Sequence, residues 1–177
     1  MEDLEGALTI IRGAIQNEIA GQRFYQDAAQ YCIDPWAKEA FARLAQEEEK
    51  HVTLLLGEHH SLTTQGRWLP PRTALELGAK VDVSQIPFST GEAVAALFPD
   101  GGSARQAIDR GADDLSALAF GLQIEERSIA LYQQQADAAV DSSSRETFLS
   151  LVDEERRHRE QLQARWESLA GRPWPNS

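Results

Sequence analysis

The 177-residue sequence predicts an all-α protein: a four-helix bundle built from two antiparallel helix hairpins joined by a long crossover. Three observations predict it. Apolar residues recur at spacings of three and four along four long stretches, the period of a helix that buries one face. Within each pair of stretches the break falls at an aspartate, Asp34 in the first pair and Asp141 in the second. The two pairs are also copies of each other. Aligned without gaps at an offset of 107, residues 15–62 and 122–169 share 15 identities. The expected organisation is one domain over 1–177, with a hairpin at 3–62, a crossover at 63–112 and a second hairpin at 113–170.

The first helix starts near Asp3, a favourable N-cap, and carries Leu8, Ile11, Ile15, Glu18, Gln22, Tyr25 and Ala29 in one stripe. Glu18 and Gln22 stand where Leu or Ile is expected, and a carboxylate in a core stripe is costly unless paired, protonated or bound to metal. Asp34-Pro35 ends this helix and opens the next, Asp as N-cap and Pro at the first helical position. The second helix presents Phe41, Leu44, Ala45, Glu48, His51, Val52 and Leu55, again with two polar residues in an apolar stripe. Glu18 lies 16 residues before Asp34 and Glu48 lies 14 after it, so at about 1.5 Å per residue the two meet at one level of the hairpin.

Residues 63 to about 110 break the pattern with Gly66, Pro70-Pro71, Gly78, Pro87, Gly91, Pro99 and Gly101-Gly102. Short helices are expected at 73–79, 90–97 and 103–110, with Thr73, Thr90 and Ser103 as N-caps. Trp68 and Phe88 are expected to pin the segment to the bundle. Its length suits a connection between parallel second and third helices. From about Asp113 the stripe returns as Leu115, Leu118, Leu122, Glu125, Ile129, Tyr132 and Ala136. Asp141 opens the last helix, with Ser143 and Glu146 as an alternative capping box. Phe148, Leu151, Val152, Glu155, His158 and Leu162 complete the repeat.

Composition limits the function. A net charge of −11 argues against a nucleic-acid binder and against docking on an anionic membrane. The single cysteine, Cys32, excludes a disulfide within these residues and a cysteine-ligated zinc or iron–sulfur cluster. It reads as a small residue partly buried near a helix end. No apolar run reaches 18 residues and the acidic start lacks a basic leader, so the expected compartment is the cytoplasm.

The polar positions inside the stripes carry the chemistry. Glu48 with His51, and Glu155 with His158, are Glu-x-x-His pairs whose side chains share a helix face. With Glu18 and Glu125 they make two glutamates plus two Glu-x-x-His pairs, the ligand set of di-iron and di-manganese carboxylate bundles. Four carboxylates balance two divalent ions. The expected roles are Glu18 and Glu125 as terminal ligands, Glu48 and Glu155 as bridges, and His51 and His158 completing one ion each. Iron or manganese suits these donors, and zinc can also bind. Tyr25 and Tyr132 fall two turns from the terminal glutamates, as hydrogen-bond donors near the centre or as core tyrosines. Glu47, Glu49 and Lys50 read as a solvated face, and His59 and His60 as surface residues.

At these residues the sequence resembles the ferritin-like superfamily, most closely the rubrerythrin family. The resemblance covers both hairpins and not the crossover. It implies a non-haem di-iron peroxidase that reduces hydrogen peroxide or O2, working as a homodimer or larger homo-oligomer. Two departures are visible. The four cysteines of a rubredoxin are absent from these residues, which implies a separate electron donor. The extra glutamate one turn along the third helix is also absent; Ser128 and Ile129 occupy that neighbourhood. The symmetric six-ligand set is closer to a bacterioferritin-like ferroxidase centre. Three readings follow: a di-iron oxidoreductase, a ferroxidase for iron handling, and a metal-binding structural bundle without turnover. A substrate hydroxylase on the same scaffold would need an apolar pocket.

Overall fold

A computed structural model describes residues 4–88 and 113–175. Four long helices dominate it: α1 (Leu4–Tyr31), α2 (Pro35–Gln65), α4 (Asp114–Ala138) and α5 (Ser142–Ala170). A short α3 (Pro71–Gly78) and a 3-10 turn (Val83–Gln85) follow α2, and there is no strand among the described residues. The N-cap expected at Asp3 and the helices expected at 90–97 and 103–110, with Thr90 and Ser103, lie outside the described residues.

The helix ends follow from local chemistry. Asp34 caps α2, accepting the Ala37 N–H at 2.8 Å, with Pro35 in the first turn. Asp113 caps α4 and accepts from Ser116 N. Asp141 caps α5 by accepting from Ser143 N and Ser144 N, so the aspartate makes the cap and the Ser143–Glu146 box does not form. α2 continues past residue 62 to Gln65, where Gly66 adopts φ 67° and closes the helix; that left-handed conformation strains any residue with a Cβ. The crossover helix begins at Pro71 behind Pro70, earlier than the Thr73 start expected, because a proline ring presets the first helical φ without a side-chain cap.

Within each hairpin the backbones run close together, α1 against α2 and α4 against α5; between hairpins they stand further apart and large side chains fill the gap. At one end Asp114 of α4 accepts the Ile33 and Asp34 N–H groups, at 2.8 and 2.6 Å, and Arg165 of α5 bonds Asp34. α4 therefore starts where α2 starts and runs parallel to it. The end of α2 and the start of α4 thus lie at opposite ends of the bundle. α3 lies back on α2 at two glycines: a Cβ at Gly57 would fall 1.8 Å from Ala74 O, and one at Gly78 would fall 1.8 Å from Thr53 O. Trp68 is buried edge-on to Phe148 at 5.7 Å, and Phe88 packs half-buried on the same cluster.

Two apolar clusters result. One surrounds Tyr25, Phe24, Phe41 and Leu118, and the other surrounds Tyr132, Ile11, Leu55 and Phe148. Between them all four long helices contribute buried polar side chains. Cys32 is buried near the end of α1, where burial pushes its thiol up to about 12. No described helix is long and apolar enough to cross a membrane.

Candidate metal centre

Glu18 (α1), Glu48 and His51 (α2), Glu125 (α4), and Glu155 and His158 (α5) converge, each at most 5% exposed. Their donor atoms form two groups, each within 4.8 Å: Glu18, Glu48, His51 and Glu155, then Glu48, Glu125, Glu155 and His158. Glu48 and Glu155 belong to both, as bridging carboxylates would. His51 Nδ1 stands 3.2 Å from Glu18, 3.3 Å from Glu48 and 3.4 Å from Glu155. His158 Nδ1 stands 3.0 Å from Glu155, 3.4 Å from Glu48 and 3.7 Å from Glu125. Donors each about 2.1 Å from one ion, and about 90–110° apart around it, stand about 3.0–3.5 Å from each other. The residues thus fit a pair of cations, and the donor set is carboxylate and imidazole throughout. The two imidazoles stack, centroids 5.5 Å apart and 19° from parallel.

Both tyrosines reach the centre across the bundle. Tyr25 Oη donates to Glu125 and Tyr132 Oη donates to Glu18, so the tyrosine of each repeat holds the terminal glutamate of the other. Residues 25 and 132 are one repeat apart, but this exchange depends on how the hairpins pack and no spacing within either one encodes it.

Protons and cations compete for this cluster. Burial, then the charges of Glu48 and Glu155, push Glu18 and Glu125 well above the usual carboxylate range. Burial also pushes Glu48 up, but its hydrogen bond with Glu18 and the His51 charge prevail and hold it low. Burial and the Glu48 charge push Glu155 up, and His51 with His158 hold it low. Burial alone would depress both imidazoles, but the carboxylates facing them raise His51, and His158 to about 10. With protons alone, two carboxylates then balance two imidazoliums. Burial and Glu125 raise the Tyr25 hydroxyl, and burial and Glu18 raise Tyr132, so both remain donors.

Glu47 departs from the solvated face expected of it. Its carboxylate lies 2.9 Å from His158 Nε2, on the far side of the ring from the centre, though off the line a hydrogen bond needs. A carboxylate there favours the tautomer with Nδ1 free to face a metal. The signal was available, since Glu47 and Glu154 are among the identities of the two repeats. Glu47, Lys50, His51, Arg72, Glu154 and Arg157 line a cleft of about 450 Å³ between α2, α3 and α5. His60 is exposed and His59 half-buried, both away from the centre.

The fold is that of an all-α, ferritin-like bundle, and its buried glutamates and histidines form clusters able to hold a metal ion. The family model described as Rubrerythrin matches residues 2–58, most of the first hairpin, so that hairpin is similar to the rubrerythrin family. No curated protein and no solved structure matches the chain.

Proposed function

We propose that the chain is a non-haem di-iron oxidoreductase, rubrerythrin-like, that reduces hydrogen peroxide or O2 with electrons from a separate donor. The observation that carries this reading is the pair of donor groups sharing Glu48 and Glu155, each terminal glutamate backed by a tyrosine hydroxyl. A bound iron pair supplies two electrons, which with two protons convert one hydrogen peroxide to two waters. The chain's own side chains do the rest. Glu48 and Glu155 hold the two positions at a fixed separation. Tyr25 Oη and Tyr132 Oη keep Glu125 and Glu18 aimed inward and retain their protons at neutral pH. The apolar cluster around Tyr25 and Phe41 keeps bulk water from that side of the centre, which strengthens the charged contacts there.

Iron oxidation for storage or detoxification is the second reading, supported by the charged cleft. His51 and Glu154 of that cleft form, with the buried His158 behind them, a further group of donor atoms within 4.8 Å of one another, with Glu154 partly exposed. The deciding experiment loads the protein anaerobically with ferrous iron, measures metal content, and follows ferric absorption on adding peroxide or, separately, O2. Two irons per chain with faster oxidation by peroxide supports the peroxidase. Faster oxidation by O2 supports the ferroxidase. One iron or none, or tightly held zinc with no optical response, overturns both and leaves a structural bundle.

A further inference from the structure

The repeat equates positions 107 residues apart, and around the two tyrosines those positions hold different side chains. Beside Tyr25 stand Phe24, Phe120, Gly121 and Ile124. Phe24 and Phe120 meet at 4.9 Å, and Phe24 and Tyr25 are fully buried in one apolar cluster. Beside Tyr132 the corresponding residues are Leu131, Gly13, Ala14 and Asn17. A glycine replaces a phenyl ring and an amide replaces a branched sec-butyl group. The result is a cavity of about 190 Å³ in the seam between α1 and α4, lined by these four residues and reaching Tyr132 and Phe148. Asn17 is only 4% exposed, yet its Oδ1 has no hydrogen-bond partner among the described residues. A buried acceptor left unpaired is costly, and in a native fold such a group is satisfied by a donor from a ligand or a water.

The geometry points to this cavity as the entry route and seat of the oxidant: a small, neutral hydroperoxide, with Asn17 Oδ1 accepting its O–H. The inference rests on the oxidoreductase reading above and deepens it. Three features select the ligand. An unpaired amide oxygen requires a donor, which hydrogen peroxide and small alkyl hydroperoxides possess and O2 lacks. No charged side chain lines the cavity, so a cation gains nothing there, whereas the cleft on the α2–α5 side is lined by carboxylates and basic residues. Tyr132 also lines the cavity and its hydroxyl holds Glu18, so one side chain links a molecule seated on Asn17 to the centre. Asn17 is on this account a positioning residue for the oxidant.

The test uses zinc-loaded protein, which is redox-inert, labelled with nitrogen-15 and titrated with hydrogen peroxide. The Asn17 side-chain amide resonance should shift in a saturable way. Asn17→Ile copies the residue at the equivalent position, Ile124. It should leave zinc stoichiometry unchanged, raise the melting temperature of the metal-free protein, and slow peroxide oxidation of the ferrous protein by about tenfold or more, with oxidation by O2 changed far less. Should Asn17→Ile fold poorly, Gly13→Leu fills the same space and should give the same selective loss. An unmoved Asn17 resonance, or variants oxidised by peroxide as fast as the parent, would overturn the inference while leaving the peroxidase reading intact. A saturable shift in a parent protein whose ferrous form ignores peroxide would support the seat and overturn that reading instead.

Discussion

Around Tyr25, Phe41 stacks on the phenol at 5.8 Å and Phe24 meets it edge-on at 5.4 Å, closing that end of the centre. Around Tyr132, Phe148 stacks at 6.2 Å, but Gly13 and Asn17 leave a cavity beside the ring. The polar ligands of the two repeats are the same, and the packing that surrounds them is not. The donor residues repeat because both halves supply carboxylates and imidazoles to one buried cluster. The shells were free to diverge, one into a seal and the other into an opening. A second contrast follows the same axis. Residue 58 and its counterpart 165 both reach across to the start of the other hairpin's second helix. Arg165 pairs with Asp34 at one end, and Glu58 accepts from Thr147 at 2.8 Å and from Leu69 N at 3.0 Å at the other.

The largest effect tests what the halves share. Glu48→Ala and Glu155→Ala should each abolish paired binding, measured as zinc or iron per chain, because each removes a donor from both groups. Unchanged metal content in either variant would refute the bridging roles. Glu18→Ala and Glu125→Ala should each lose chiefly one ion. In the parent protein zinc affinity should fall as pH drops, because Glu18, Glu125, His51 and His158 all hold protons more tightly than usual and must release them to bind metal.

Packing comes next. Phe41→Ala should cost about 3–5 kcal/mol in urea denaturation, since it opens a void in the sealed cluster. Phe148→Ala, at the end that already has a cavity, should fall at or below the low end of that range. Equal losses would contradict the sealed-versus-open contrast.

Glu58 separates the ends by pH. Burial raises it to about 7, against a usual carboxylate value of 4.5, with Asp141 adding repulsion and the bonds from Leu69 and Thr147 opposing it. The folded state thus holds this proton more tightly than the unfolded chain. The group imposes no cost below about pH 4.5, and stability is lost as pH rises towards 7, by up to about 3 kcal/mol. Glu58→Gln should flatten that slope in denaturation midpoints taken between those values. A parent slope retained in the variant would assign it to another group.

The smallest effect concerns the phenols. Tyr25→Phe leaves Glu125 without its donor in a closed cluster and should destabilise the metal-free protein by about 1–3 kcal/mol. Tyr132→Phe should cost less, because the neighbouring cavity can admit a water to Glu18. Metal stoichiometry should survive both, and its loss in either would make that tyrosine part of the binding set.

Much of this was legible in the amino-acid order. Helical period, aspartate caps and the repeat identify the hairpins, and Glu18, Glu48, His51 and their copies stand out because ligand-type residues interrupt apolar stripes. Asn17 and Glu47 did not stand out. Each adjoins a ligand by one residue and so falls outside a narrow stripe. The buried face of α1 is wider than that stripe and includes Ala14, Asn17, Gly21, Phe24 and Ala28. How wide a helix's buried face becomes depends on its neighbours.

The sequence by itself determined the four helices, their turns and the matched sets of donors, because those follow from local periodicity and from residue chemistry repeated at a fixed offset. Only the tertiary structure decided that each tyrosine serves the opposite repeat's glutamate, that Glu47 lies behind His158, and that one end of the centre is sealed and the other open. These are contacts between helices far apart in the chain, and they depend on how side chains of unequal volume fill the seams between two hairpins.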